Sequence, residues 1–223
     1  MTRHRALAGV LWLSAAGFPD VGASDTEIAQ TLAALERRYQ AVSSLTAGFT
    51  QTYRAPGIET TESGVLAMKR PGLMRWEYRS PEPKLFVADG KKAYLYTPAD
   101  RQVMVTPLSE RDLRSTPLEF LLGRVSLARG FRGAPERELR PRLEGTSLIR
   151  LEPRAPQPDY EFVVLEFDSR TFDIRRLVVR EATGGSSDFL FTDLATNVRL
   201  DDGQFHFRVP RGVEVIELDG RNE

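Results

Sequence analysis

Few side chains in this sequence are placed to carry out covalent or acid–base chemistry. It holds two histidines, His4 and His206, and no cysteine. Without cysteine there is no disulfide staple, no thiolate metal site and no thiol nucleophile. His206 sits in the alternating run Phe205-His206-Phe207, the position of a surface or rim residue on a strand. No His or carboxylate cluster has metal-ligand spacing. A Gly-x-Ser-x-Gly elbow and a Gly-rich phosphate loop are both missing. Aspartate and glutamate are abundant enough for a glycosidase-like carboxylate pair, but no spacing selects one pair. The reading is against an enzyme, and no cofactor or metal is implied.

The residue types favour binding by shape instead. Met68, Met74 and Met104 all fall in one region, and methionine is flexible and polarizable. They are either ordinary gap-filling core residues or the walls of a cavity that must fit ligands of changing shape. The stretch Gly64–Pro98, GVLAMKRPGLMRWEYRSPEPKLFVADGKKAYLYTP, is a series of strand-like runs broken by Pro and Gly. In 73–78 one phase is Met74, Trp76 and Tyr78 and the other holds Arg75 and Glu77, whereas in 85–88 and 93–96 both phases are apolar. Successive strand residues point to opposite faces, so each face of such a sheet needs a cover, and one face could hold a ligand. Lys69-Arg70, fixed by Pro71 in the turn before the Trp76 strand, is a basic pair whose residues alone read as a salt bridge or turn-exposed charge.

The elements that must position these residues follow from periodicity. Residues 24–45 read as a helix, with Ile28, Leu32, Leu35, Tyr39, Val42 and Leu45 on one stripe, and Asp25 or Thr26 as N-cap. From residue 47 the period becomes two. Strands are predicted over 47–54, 59–69, 72–79, 84–89, 91–97, 101–107, 137–144, 146–152, 160–168, 172–181, 187–194 and 204–209, with a short tail at 213–217. Asp89-Gly90 marks a tight hairpin. Strand after strand without crossover helices predicts an antiparallel meander in a single domain. Between strands, Thr116-Pro117-Leu118-Glu119 is a helix start with N-cap, N1 proline and capping-box glutamate. Phe120, Leu121 and Leu122 follow, and Gly123 stops it, giving an apolar cover for a sheet face.

Residues 1–23 read as a signal peptide: Arg3, His4 and Arg5, then an apolar run from Ala6 to Phe18, then Val21-Gly22-Ala23 as a small-x-small cleavage site. The mature chain is expected at 24–223. Lysine plus arginine and aspartate plus glutamate are 31 each, and removing Arg3, Arg5 and Asp20 leaves a net charge near −1. Nothing forms a basic stripe for nucleic acid or a polybasic membrane anchor. No later segment approaches the roughly 18 apolar residues of a spanning helix. The mature protein is expected to be exported and free in its compartment.

One set of motifs resembles a known family. The pattern Gly64-x-Leu66-x-x-Lys69-Arg70-Pro71-x-x-x-x-Trp76, then Val87-x-Asp89-Gly90 and Tyr96-x-Pro98, is similar to the periplasmic lipoprotein carriers (LolA-like). The likeness extends from the first helix and Phe49-Thr50-Gln51, through the Thr-Pro helix, to Phe205-x-Phe207-x-x-Pro210-x-Gly212-Val213. It implies an α+β fold: an unclosed, curved antiparallel β-barrel of about eleven strands, with helices as a lid over an apolar cavity. It implies a monomeric periplasmic chaperone without stable membrane insertion. Such a carrier accepts lipoproteins from an inner-membrane ABC complex and passes them to an outer-membrane lipoprotein receptor. The absence of cysteine matches the soluble carrier and not that anchored receptor. Arg70 is implied as the lid latch. Leu66, Met68, Met74, Trp76, Tyr78 and Met104 are implied as cavity lining, with Leu118, Phe120, Leu121 and Leu122 as the lid helix. Ala67 stands where an aromatic is common and Met74 where Phe is common. Two other readings share the fold: a carrier of another lipid, and a lipid-sensing regulatory module, which would carry a second domain.

Overall fold

A strand that is apolar on both sides forces its sheet to be covered twice, and the architecture is organised by that demand. The computed structural model describes residues 24–108, 121 and 126–218. Helix α1 (Asp25–Gln40) comes first. It is followed by β1 (Ser44–Ala55), β2 (Ile58–Lys69), β3 (Leu73–Ser80), β4 (Lys84–Asp89), β5 (Lys92–Thr97) and β6 (Gln102–Pro107). The short helix α2 (Leu127–Gly130) leads into β7 (Phe131–Ala134), β8 (Thr146–Pro153), β9 (Tyr160–Asp168), β10 (Ile174–Glu181) and β11 (Ser186–Thr196). A 3-10 turn at Asp202–Phe205 and β12 (Glu214–Glu217) complete the described chain.

All strands form one open sheet in the order β12-β6-β5-β4-β3-β2-β1-β11-β10-β9-β8-β7. Two meanders meet at β1, which pairs with β2 on one side and β11 on the other. Pairing is antiparallel except at the edge, where β12 runs parallel to β6. The concave face packs against α1, and the buried core residues Leu32, Leu35 and Tyr39 come from that helix. Gly133 of β7 makes this approach possible: a Cβ there would lie 2.6 Å from Cγ2 of Ile28.

The convex face is covered too. Val87, Val103 and Val105 are buried on that side, and Phe205 has no exposure at all. The ring of Phe207 lies 5.4 Å from that of Tyr94 and 5.7 Å from that of Tyr96. Arg75 Nη1 donates to the Gln204 carbonyl at 3.1 Å. The predicted strand 204–209 is therefore a 3-10 turn followed by an extended run, laid across the sheet face as a cover instead of paired in it.

Three other expectations change. The helix ends at Gln40, not at residue 45: Val42 and Leu45 are buried, but Leu45 belongs to β1, so the helical stripe continues into a strand by coincidence of spacing. Its N-cap is Ser24, not Asp25 or Thr26, and Ser24 and Glu27 form a reciprocal capping box. The predicted strand 137–144 is irregular, and β7 forms earlier instead. Its backbone donors go to carboxylates: Glu136 Oε1 accepts from the amides of Glu138 and Leu139, and Glu166 Oε1 from those of Arg142 and Leu143. Buried Arg176 lies between Glu166 and Asp188, 2.7 Å from Asp188 Oδ1, so this segment closes over a buried ion cluster. The Asp89-Gly90 hairpin forms as predicted, with Asp89 Oδ1 accepting from the amides of Lys91 and Lys92 at 2.8 Å.

Because the convex cover depends on one fully buried ring, Phe205→Ala should destabilise the fold by about 3–5 kcal/mol. Guanidinium unfolding monitored by circular dichroism would measure it, and a loss under 1 kcal/mol would contradict the covering role.

Candidate functional site

Strand register gathers distant residues into rows on the concave face. One row is Leu45, Met68, Met74 and Ala88, and the next is Ala47, Leu66, Trp76, Phe86, Leu95 and Met104. A third joins Phe49, Gly64 and Tyr78. At Gly64 a Cβ would sit 1.9 Å from the Glu77 carbonyl oxygen and 3.0 Å from the Phe49 ring. Glycine is required there because the Glu77 backbone carbonyl of β3 already occupies the space a Cβ would take, with the Phe49 ring beside it. Phe49 meets Trp76 edge-on at 4.8 Å and Tyr78 at 5.0 Å, and Trp76 meets Phe189 at 5.8 Å. Such contacts contribute about 0.5–1.5 kcal/mol each beyond their buried area. The centre of the face is thus an aromatic cluster drawn from β1, β3 and β11.

Helix α1 lies over this face and is tied down mainly at its C-terminal end. Arg70 Nη2 donates to the Tyr39 carbonyl at 3.0 Å, where the helix leaves its last carbonyls without intrahelical partners. Arg38 Nε donates to Asp173 Oδ1 at 2.9 Å, and its Nη2 donates to Thr196 Oγ1 at 3.2 Å. Inside, the Ile174 amide donates to Tyr39 Oη at 2.8 Å. Lys69, one residue before Arg70, points to the other face, and its Nζ reaches the Leu200 carbonyl at 2.8 Å and Asp202 Oδ1 at 2.6 Å. The basic pair therefore holds both covers: Arg70 the helix, Lys69 the C-terminal segment.

Of the sequence-predicted residues, Leu66, Met68, Met74 and Trp76 come together, all buried in one core. Tyr78 is half-buried beside them. Met104 shares the row of Trp76 but lies far along it, half-buried and opposite Ile216 of β12. Leu121 is buried in the same core, and Leu118, Phe120 and Leu122 fall outside the described residues. Sequence reading missed Phe49 and Phe189 as ring partners of Trp76, because strand register brings them in from far along the chain, and it missed Phe86 as its neighbour across β4. A depression of about 350 Å³ flanks the outer side of α1, between Ala33, Glu36 and Arg37 and the Ala128–Arg154 side.

Electrostatically the face is quiet. Among the described residues no cluster of three His, Asp or Glu side chains could hold a metal ion, and no described helix is long and apolar enough to cross a membrane. Tyr78 Oη donates to Gln51 Oε1 at 3.1 Å. Burial, reinforced by the Glu62 carboxylate, pushes its phenol up to about 12. Burial raises Tyr39 as well.

Fold and site together define a class: open half-barrels whose single apolar concave face lies under a helix. The chain belongs to the LolA family, since residues 40–208 match the family described as "Outer membrane lipoprotein carrier protein LolA". It is 32% identical over 198 residues to an outer-membrane lipoprotein carrier protein of Pseudomonas aeruginosa, covering 87% of this chain and 90% of that one. To one of Azotobacter vinelandii it is 33% identical over 211 residues, covering 93% and 97%. A crystal structure of an uncharacterized conserved protein from Thermus thermophilus shares the fold, with a TM-score of 0.52 and 15% identity, covering 85% of this chain and 98% of that one.

The raised Tyr78 phenol makes a pH prediction. Between pH 10, where an unfolded tyrosine ionises, and about 12, the unfolded state has lost a proton that folded Tyr78 keeps. The stability present below pH 10 is therefore lost as pH rises through that window. Tyr78→Phe should lose less stability across the window than the parent chain. Guanidinium midpoints measured at several pH values would show it, and parallel curves would contradict the assignment.

Proposed function

We propose that this chain is a soluble periplasmic chaperone that takes up the acyl chains of lipoproteins released from the inner membrane and delivers them to an outer-membrane receptor. In this reading residues 1–23 are the cleaved signal peptide and 24–223 the carrier domain. The inner-membrane ABC complex is the donor. The role is transport, without catalysis. Leu66, Met68, Met74 and Trp76 line the acyl site, with Tyr78 and Met104 towards its ends, and α1 with the Thr-Pro segment around Leu118–Leu122 as the lid.

The observation that carries this reading is a continuous apolar face under a helix whose polar ties gather near one end. Magnitudes agree with a cover that can be exchanged. Leu32, Leu35 and Tyr39 of α1 together bury side chains worth on the order of 6 kcal/mol. A 16-carbon acyl chain represents about 13 kcal/mol at about 0.8 kcal/mol per CH₂. Cargo can therefore displace the helix, and the returning helix repays part of the cargo's burial on release. A half-barrel with a bare face would expose that surface to water, and a fully locked one would refuse the cargo. Arg70 suits the latch because its planar fork offers five donors to carbonyls at a helix end.

Arg70→Leu should keep the fold, shown by an unchanged circular dichroism spectrum, and still draw lipoprotein out of spheroplasts. Its transfer to receptor-bearing outer-membrane vesicles should fall by about tenfold, as expected when the cover no longer returns. Normal transfer would refute the latch. Met74→Glu places a carboxylate in the acyl site, so lipoprotein release from spheroplasts should fall by at least about tenfold. A variant that melts cooperatively yet releases lipoprotein normally would count against cargo on the concave face.

A further inference from the structure

The concave face does not remain apolar to its end. Beyond the Phe49–Gly64–Tyr78 row, Gln51 of β1 stands directly opposite Glu62 of β2, and Tyr78 of β3 opposite Lys84 of β4. Tyr78 Oη donates to Gln51 Oε1, Lys84 Nζ lies 2.5 Å from Glu62 Oε1, and the same ammonium lies 4.7 Å above the Tyr78 ring. The Glu62 and Lys84 side chains are 22% and 28% exposed, held in place yet within reach of a ligand. Phe49 touches this corner and the aromatic centre alike. Helix α1 crosses the face from Gly133 on β7 to the Arg70 turn between β2 and β3, so the corner lies off its path.

We propose that Gln51, Glu62, Tyr78 and Lys84 form a subsite for the uncharged ester and amide linkage that joins acyl chains to a peptide, and that Glu62 excludes anionic lipids from it. The proposal deepens the carrier reading and rests on it. An ester–amide linkage presents carbonyl acceptors and amide donors and carries no net charge. Lys84 supplies three N–H donors, of which the Glu62 contact uses one, and the oxygens of Glu62 and Gln51 accept from amide N–H groups. A lone lysine at the end of an apolar trough would be an anchor for a phosphate or a free carboxylate. Here Glu62 cancels that charge at contact distance, so an anion gains from Lys84 about what it loses to Glu62. The corner separates lipids that share the same acyl chains by the charge of what they are attached to.

The test measures binding of two probes to the purified full-length protein by displacement of a fluorescent fatty-acyl dye: a lipopeptide that is N-acylated as well as diacylated through esters, with an uncharged peptide, and phosphatidylglycerol with chains of the same length. In the Glu62→Gln variant, affinity for phosphatidylglycerol relative to the lipopeptide should rise by about five- to tenfold, the size expected of one uncompensated, partly exposed charge. Lys84→Gln should weaken lipopeptide binding by about threefold or more without any gain for phosphatidylglycerol. If the parent binds the lipopeptide but the Glu62→Gln ratio stays within twofold of it, the subsite is overturned and the carrier reading stands. If the parent binds neither probe, both are overturned.

Discussion

The structure depends on one constraint: strands β4 to β6 are apolar on both faces, so the sheet cannot be left with either side in water. The concave side is closed by α1 and the convex side by the segment through Phe205 and Phe207. Neighbouring residues in a strand point in opposite directions, and the chain uses this at Lys69 and Arg70. One turn thus anchors both covers, Lys69 to Asp202 and Arg70 to the end of α1. The two covers differ in kind. Phe205 is completely buried and Phe207 packs against the rings of Tyr94 and Tyr96, whereas the helix end is held through hydrogen bonds and an ion pair that water can replace.

Much of this was legible in the residues, and the parts that were not have definable causes. Period-two alternation located β1 to β6 and β8 to β11 because each has one face in a core. The hairpin at Asp89-Gly90 followed from local turn chemistry. Residues 137–144 alternate as well as a strand does, but their amides are taken by Glu136 and Glu166, and Glu166 lies across a gap in sequence that no local window spans. Phe205-His206-Phe207 also alternates, and there one sequence pattern serves equally for a strand and for a strap laid on a sheet. Ser24 was passed over as N-cap because Asp25 and Thr26 are equally suitable by type.

For the site, the apolar phase of β2 and β3 could be read directly, and Leu66, Met68, Met74 and Trp76 do share one face. Met104 lies on the same face yet apart, since alternation assigns a side but not a distance along the row. Phe49 and Phe189 could not be assigned to Trp76 without register. Gly64 was a clue of another sort: a glycine within a strand marks a place where something approaches closely, and what approaches is the Glu77 backbone of β3, with the Phe49 ring next to it.

The position of β1 has a consequence for how the chain acquires its shape. Its pairing with β11 joins Leu45 to Thr196 and Arg54 to Ser186, contacts that must wait for nearly the whole chain. Each meander can form from local hairpins, but the seam between them is a long-range closure, and topologies dominated by such closures fold slowly. Helix α1 depends on the same event, since Tyr39 is bonded to Ile174 and Arg38 to Asp173 from the second meander. Until the seam closes, the newly made chain presents its apolar trough unroofed. The period of greatest vulnerability to aggregation is therefore set by the kinetics of one strand pairing.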